Sequence, residues 1–125
     1  MHVQIDHRHQ QVVFAAEGVV RLADWQTAVR QQAEAGAWRY PLLLDLRAQT
    51  NLFHPNDLRA MSLMVDGLIR EHGPRGPVAF LADTEQKLAV GRLYTMLADW
   101  VPFRIKTFQS SKEAIDWLTA PVADP

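Results

Sequence analysis

Cysteine is absent from the 125 residues. Its absence removes disulfides, thiolate nucleophiles and cysteine-ligated zinc together, and accords with a reducing compartment. An excess of one charge is missing too: 13 Lys and Arg stand against 14 Asp and Glu. Nothing in that balance holds a phosphate backbone, so nucleic acid is not an expected partner. No apolar run approaches the roughly 20 residues that cross a bilayer, and the opening Met1-His2-Val3-Gln4-Ile5-Asp6 has neither a basic nor an apolar leader region. The expectation is a soluble, cytoplasmic protein with no transmembrane segment, peripheral contact with a membrane being left open. Nucleotide fingerprints (G-x-G-x-x-G, G-x-x-x-x-G-K-[ST]) and the G-x-S-x-G elbow are lacking. No cofactor is expected.

What is present is an alternation of strand and helix patterns. Tyr40-Pro41-Leu42-Leu43-Leu44-Asp45-Leu46-Arg47 is an apolar run too short for a helix, ending in charge, and reads as a central strand covered on both faces. Before it, Val3 and Ile5 alternate with polar neighbours and Gln11 to Ala16 is β-branched and aromatic, which makes a hairpin around Asp6 to Gln10. Leu22, Trp25, Val29 and Ala33 recur at helical spacing, with Gly36 as the stop. After the loop, Pro55 suits a first helical position and Leu58, Met61, Val65, Leu68 and Ile69 form a stripe that ends at Gly73-Pro74. Val78 to Ala82 is a second buried strand. A third helix carries Ala89, Leu93, Met96, Leu97 and Trp100 as its expected apolar face, and Gly91 within it costs about 1 kcal/mol relative to Ala, which implies a close approach there. Pro102 marks its end. Phe103 to Phe108 places Arg104 and Lys106 on one face of an edge strand. Ser110 and Glu113 then make an S-x-x-E box for a last helix with Ala114, Ile115, Trp117 and Leu118.

The resulting order, ββαβαβαβα, fits an α/β single domain over residues 1–119 with a mixed, mostly parallel five-stranded sheet and four helices, and a frayed tail over 120–125. Three features, Leu42-Leu43-Leu44-Asp45-Leu46 before a long loop and helix, Gly91-Arg92 followed by an aromatic, and Phe108-x4-Glu113-Ala114-x2-Trp117-Leu118, give a resemblance to the SpoIIAA-like STAS family, the anti-sigma-factor-antagonist-like proteins, which also look like the CRAL-TRIO lipid-binding fold. In phosphorylated antagonists of that superfamily a D-S-x-G segment carries the switch serine. The matching stretch here is Leu52-Phe53-His54-Pro55-Asn56, with neither serine nor glycine. The resemblance therefore implies a module without the phosphoswitch, and Thr50 reads as a turn residue.

Open α/β sheets bind ligands outside the carboxyl ends of their strands. That rule selects Asp45, Arg47, His54, Asp83 and Arg92 as ligand-binding candidates, with two helix N-termini aimed at the same crevice and favouring an anion. Arg92 is placed near the edge of its helix's apolar stripe, where it closes over an anion or snorkels along the core. His7-x-His9 sets two imidazoles on one strand, but no third ligand accompanies them and no metal is expected. Trp25, Trp100 and Trp117 occupy stripe positions and read as core, as do Met61 and Met64. Trp38 and Leu63 are the interface candidates. Sequential right-handed crossovers tend to put helices on one sheet face, and the other, short of cover unless a partner or the hairpin supplies it, argues for a homodimer. The functional expectation is a non-catalytic binding or regulatory module for a protein partner or a small anionic ligand. Two rivals stand beside it: a lipid or apolar-ligand carrier, and a small acid-base enzyme using His54 with Asp45 or Asp83. An apolar cavity would favour the carrier.

Overall fold

The computed structural model describes residues 1–97 and 103–120. Trp100, Pro102, the side chain of Leu97 and the tail beyond Ala120 fall outside them. The chain runs β1 (His2–Asp6), β2 (Gln11–Gly18), α1 (Leu22–Glu34), β3 (Leu42–Gln49), α2 (Pro55–His72), β4 (Val78–Leu81), α3 (Glu85–Leu97), β5 (Ile105–Phe108) and α4 (Ser111–Thr119). The five strands lie side by side in chain order, β1 antiparallel to β2 and every other neighbour parallel. This is the expected element order and the expected mixed α/β sheet.

The strand pattern decides which face is which. Along β2, Val12, Phe14 and Ala16 are buried while their neighbours are not. Val12 and Phe14 pair across the sheet with Leu42 and Leu44, and these in turn with Val78 and Phe80, so one face is a continuous apolar layer. Against it lie Trp25, Ala28, Val29 and Ala33 of α1, Leu58, Met61 and Val65 of α2, and Tyr94 of α3. Burying a side chain such as Phe14 or Leu42 is worth about 1.5–3 kcal/mol. All four residues of β4 are buried, which requires cover on both faces.

The second cover is α4. Ala114, Leu118 and Trp117 pack on Leu43, Ala79 and Phe108, which project to the opposite side from the main core. The premise that this face is short of cover is thus corrected over β3 to β5. Over β1 and β2 the same face carries exposed His2, Gln4, Asp6 and Gln11 beside half-buried Val13 and Ala15, a mixed surface that α4 does not cover.

Helix ends follow local chemistry. Gly36 and Gly73 take left-handed φ of 74° and 89° just past α1 and α2. Ser110 accepts from the Glu113 N–H at 3.3 Å at the start of α4. The apolar face expected for α3 is wrong by rotation. Leu88, Gly91 and Tyr94 are buried, whereas Ala89 is exposed and Met96 is 73% exposed. Gly91 is the reason: a Cβ there would stand 2.5 Å from the Thr107 Cγ2 and 3.5 Å from Phe80. The helix lies on the sheet through its smallest residue, and the contact face rotates to put Gly91 at its centre.

Candidate functional site

The strand-end residues form a closed set of ion pairs. The eight-residue β3 runs past Asp45 to Gln49, while β4 stops opposite Asp45 at Leu81. Asp45 and Arg47 therefore sit inside β3, beside the end of β4, and the strand continues through Ala48 and Gln49, the expected start of the loop. Arg47 grips Asp45 in a fork: Nε to Oδ1 at 3.0 Å, one terminal nitrogen to Oδ2 at 2.9 Å, and the backbone N–H to Oδ1 at 3.1 Å. Burial pushes the Asp45 carboxyl up, but the hydrogen bonds and charge of Arg47, with Lys87 beyond, hold it below its ordinary value. Lys87 donates to the Arg47 carbonyl at 2.8 Å, an oxygen β4 no longer reaches, and to Asp83 Oδ1 at 3.2 Å. Lys87 thus belongs to the cluster, and the only sign of it in the residue spacing is its place four residues after Asp83.

His54 and Arg92 do not join this set. The His54 Nδ1 accepts from the Asn56 N–H at 3.1 Å, capping α2. Arg92, exposed because α3 is rotated from the expected face, donates to Glu85 Oε1 at 2.8 Å. Its expected place beside the apolar stripe is corrected accordingly. Thr84 accepts from the Lys87 N–H at 3.3 Å and so caps α3. With each helix start capped by its own side chain and each charge paired locally, the crevice holds structural ion pairs.

The two interface candidates separate. Trp38 is 3% exposed: its indole N–H donates to the Gly73 carbonyl at 2.9 Å and its ring lies under the Arg75 guanidinium, 4.8 Å from the centroid. It is a core residue, fixed where α1, α2 and the approach to β4 meet. Leu63 is 66% exposed on the outer side of α2. The hairpin histidines also find local partners, His7 with the Tyr40 hydroxyl at 2.9 Å and His9 with Asp6 at 2.7 Å. Among the described residues no cluster of three or more His, Asp or Glu is placed to hold a metal.

A different feature lies between the sheet and α1 to α3. A cavity of about 40 Å³ is walled by Trp25, Val29, Leu44, Leu46, Phe53, Leu58, Met61, Val78, Phe80, Val90 and Tyr94, together with one charged residue, Arg75. Arg75 stands in Gly73-Pro74-Arg75-Gly76-Pro77, just before β4, at the opposite end of the strands from Asp45. Gly76 lets that turn press on the chain before β3, since a Cβ there would strike the carbonyl oxygens of Arg39 and Tyr40. Arg75 is 7% exposed, and its guanidinium donates to Gln32 Oε1 at 3.2 Å and lies over the rings of Trp38 and Phe103.

No carboxylate pairs with Arg75 among the described residues, and its Nε has no hydrogen-bond partner. Burial pushes the guanidinium down from its ordinary value and the Tyr94 hydroxyl up, each group partly offsetting the shift of the other. An arginine stays protonated even so. A buried cation without a counter-ion costs several kcal/mol unless hydrogen bonds or aromatic faces offset it. Trp25 also lines the cavity, and its Nε1 is buried without a partner as well. Sequence reasoning missed Arg75 because a Gly-Pro-Arg-Gly-Pro run reads as an exposed turn.

Fold and site together define an α/β protein, a sequential mixed sheet with a cation-headed apolar cavity under its three-helix face. No family model, curated protein or solved structure matches the chain.

Proposed function

We propose that the protein is a non-catalytic, STAS-like binding module without a serine phosphoswitch, taking a small ligand into the cavity between its sheet and α1 to α3. The observation that carries this reading is Arg75, a buried cation that lines an otherwise apolar cavity and whose Nε has no hydrogen-bond partner. Polar groups that converge at one point of an apolar pocket are what a small-molecule site requires. Support for a non-catalytic role comes from the other end of the sheet, where Asp45, Asp83 and His54 are each engaged by a neighbour and none stands as a base beside a nucleophile.

The carrier reading keeps the apolar walls but not the volume. Pockets that enclose even drug-sized ligands run to roughly 300 Å³ or more, and the cavity offers about 40 Å³, which excludes an acyl chain and leaves room for a ligand of a few atoms. A homodimer is part of the proposal on narrow ground, resting on exposed Leu63 on α2 and Ile115 on α4. A cytoplasmic setting rests on the lack of cysteine. No helix among the described residues is long and apolar enough to cross a membrane.

Native mass spectrometry of protein purified without additives tests ligand and dimer together. Retention of a small molecule in a one-to-one ratio supports the module. A ligand of acyl-chain mass supports the carrier and overturns the small-ligand module, and a monomer at high micromolar concentration overturns the dimer.

A further inference from the structure

We infer that the cavity takes a short monocarboxylate, its carboxylate on Arg75 and its alkyl part against the apolar wall between Leu44 and Val90. The inference rests on the cavity being the ligand site and names the chemistry that site accepts. Charge comes first: Arg75 is a single buried cation with no carboxylate among the described residues, so one negative charge completes it. Donor count comes second. Of the residues lining the cavity, Arg75, Tyr94 and Trp25 carry side-chain donors, enough for the two oxygens of a carboxylate, whereas phosphate, with four oxygens and up to two charges, would leave lone pairs facing hydrocarbon.

Size comes third. A water-sized group needs about 10–15 Å³ on this measure, so a cavity of about 40 Å³ holds about three to four such groups, or about four to five non-hydrogen atoms of one molecule, because bonded atoms lie about 1.5 Å apart and separate waters do not. Acetate and propionate fall in that range and acyl chains do not. The apolar lining supplies the preference for an organic anion over chloride, because each methylene buried is worth about 0.8 kcal/mol, roughly a fourfold gain in affinity.

The test uses the unaltered full chain, so it does not depend on a variant folding. The Arg75 Nε–H and Trp25 Nε1–H resonances are followed by nuclear magnetic resonance while acetate, propionate, propionamide, sodium chloride and sodium phosphate are titrated separately. The expected result is saturable shifts of both resonances with propionate, at least tenfold weaker binding of its neutral isostere propionamide, and tighter binding of propionate than acetate. Tyr94→Phe should weaken propionate severalfold while leaving the weak propionamide binding in place. Equal responses to propionate and propionamide overturn the carboxylate while leaving the cavity as a ligand site. Responses to chloride or phosphate matching those to propionate also overturn it, as an adventitious ion only. No response to any of the probes removes both the carboxylate and the ligand-site reading.

Discussion

Gly91 shows how one residue sets a contact face. A glycine inside a helix costs about 1 kcal/mol relative to alanine, and that penalty is the mark it leaves in the sequence. What the sequence does not say is which neighbour requires it, and the answer is the methyl of Thr107 on β5, which a Cβ would approach to 2.5 Å. A threonine methyl is held by a stiff χ1 and has little room to turn aside. Gly91→Ala is therefore expected to destabilise the fold by about 1–3 kcal/mol, overpacking outweighing the helical gain. Adding Thr107→Ser removes the offending methyl and should recover most of the loss in urea unfolding; a single variant at least as stable as the parent would show that the helix does not lie on β5 through this residue. Titration at two other residues gives opposite slopes. Asp45, held below its ordinary 3.8, contributes stability that is present above that value and is lost as pH falls through its folded value. Tyr94, raised above its ordinary 10.0, contributes none of its penalty below that pH, and stability falls as pH rises past it because the unfolded chain ionises first. A Tyr40→Phe background isolates Tyr94, whose phenolate absorbance should rise at higher pH than that of the same variant unfolded in urea.

Elements are legible where periodicity and punctuation agree. The hairpin, α1 with its Gly36 stop, α2 between Pro55 and Gly73, and the alternation inside β2 all stand where residue spacing puts them. Two elements depart from it for physical reasons. The face of α3 is rotated from the expected stripe because a search for large apolar residues passes over the glycine at the centre of the contact. β3 extends beyond Arg47, its expected end, because Ala48 and Gln49 look like the start of a loop, yet they pair with Glu17 and Gly18 of β2 past a register shift. Helix α4 is the element whose loss matters most for the sheet's second face, since it alone covers Leu43, Ala79 and Phe108 among the described residues. Nine residues are marginal as a helix, so its cap counts. Ser110→Ala should cost about 1 kcal/mol, and hydrogen exchange of α4 amides should rise before that of β3. Uniform exchange across both would mean that α4 does not open as a separate unit.

At the scale of the molecule the two ends of the sheet do different work, and only one is visible in the sequence. The carboxyl ends carry charges in recognisable positions, and they turn out to satisfy one another. The amino ends carry one arginine in a glycine-proline run, and its burial depends on four segments distant in the chain: Gln32 from α1, Trp38 before β3, Tyr94 from α3 and Phe103 before β5. No local pattern encodes such a convergence, because each contributor is ordinary in its own segment. What joins them is the close approach at Gly76. Its missing Cβ lets the turn carrying Arg75 pack on the main chain of Arg39 and Tyr40, and its N–H donates to the Trp38 carbonyl at 3.2 Å. A side chain there meets backbone oxygen, 2.7 Å away for Tyr40, and backbone cannot move aside as a flexible side chain does. Gly76→Ala should thus cost upward of about 3 kcal/mol and, in whatever fraction still folds, shift the Arg75 Nε–H and Trp38 indole resonances together. Leu63→Ala, on the outer side of α2, serves as the control and should leave both resonances in place. A folded Gly76→Ala protein with unshifted Arg75 and Trp38 signals would show that the buried cation is held without this turn, and that the two ends of Arg75's cage are not coupled through it.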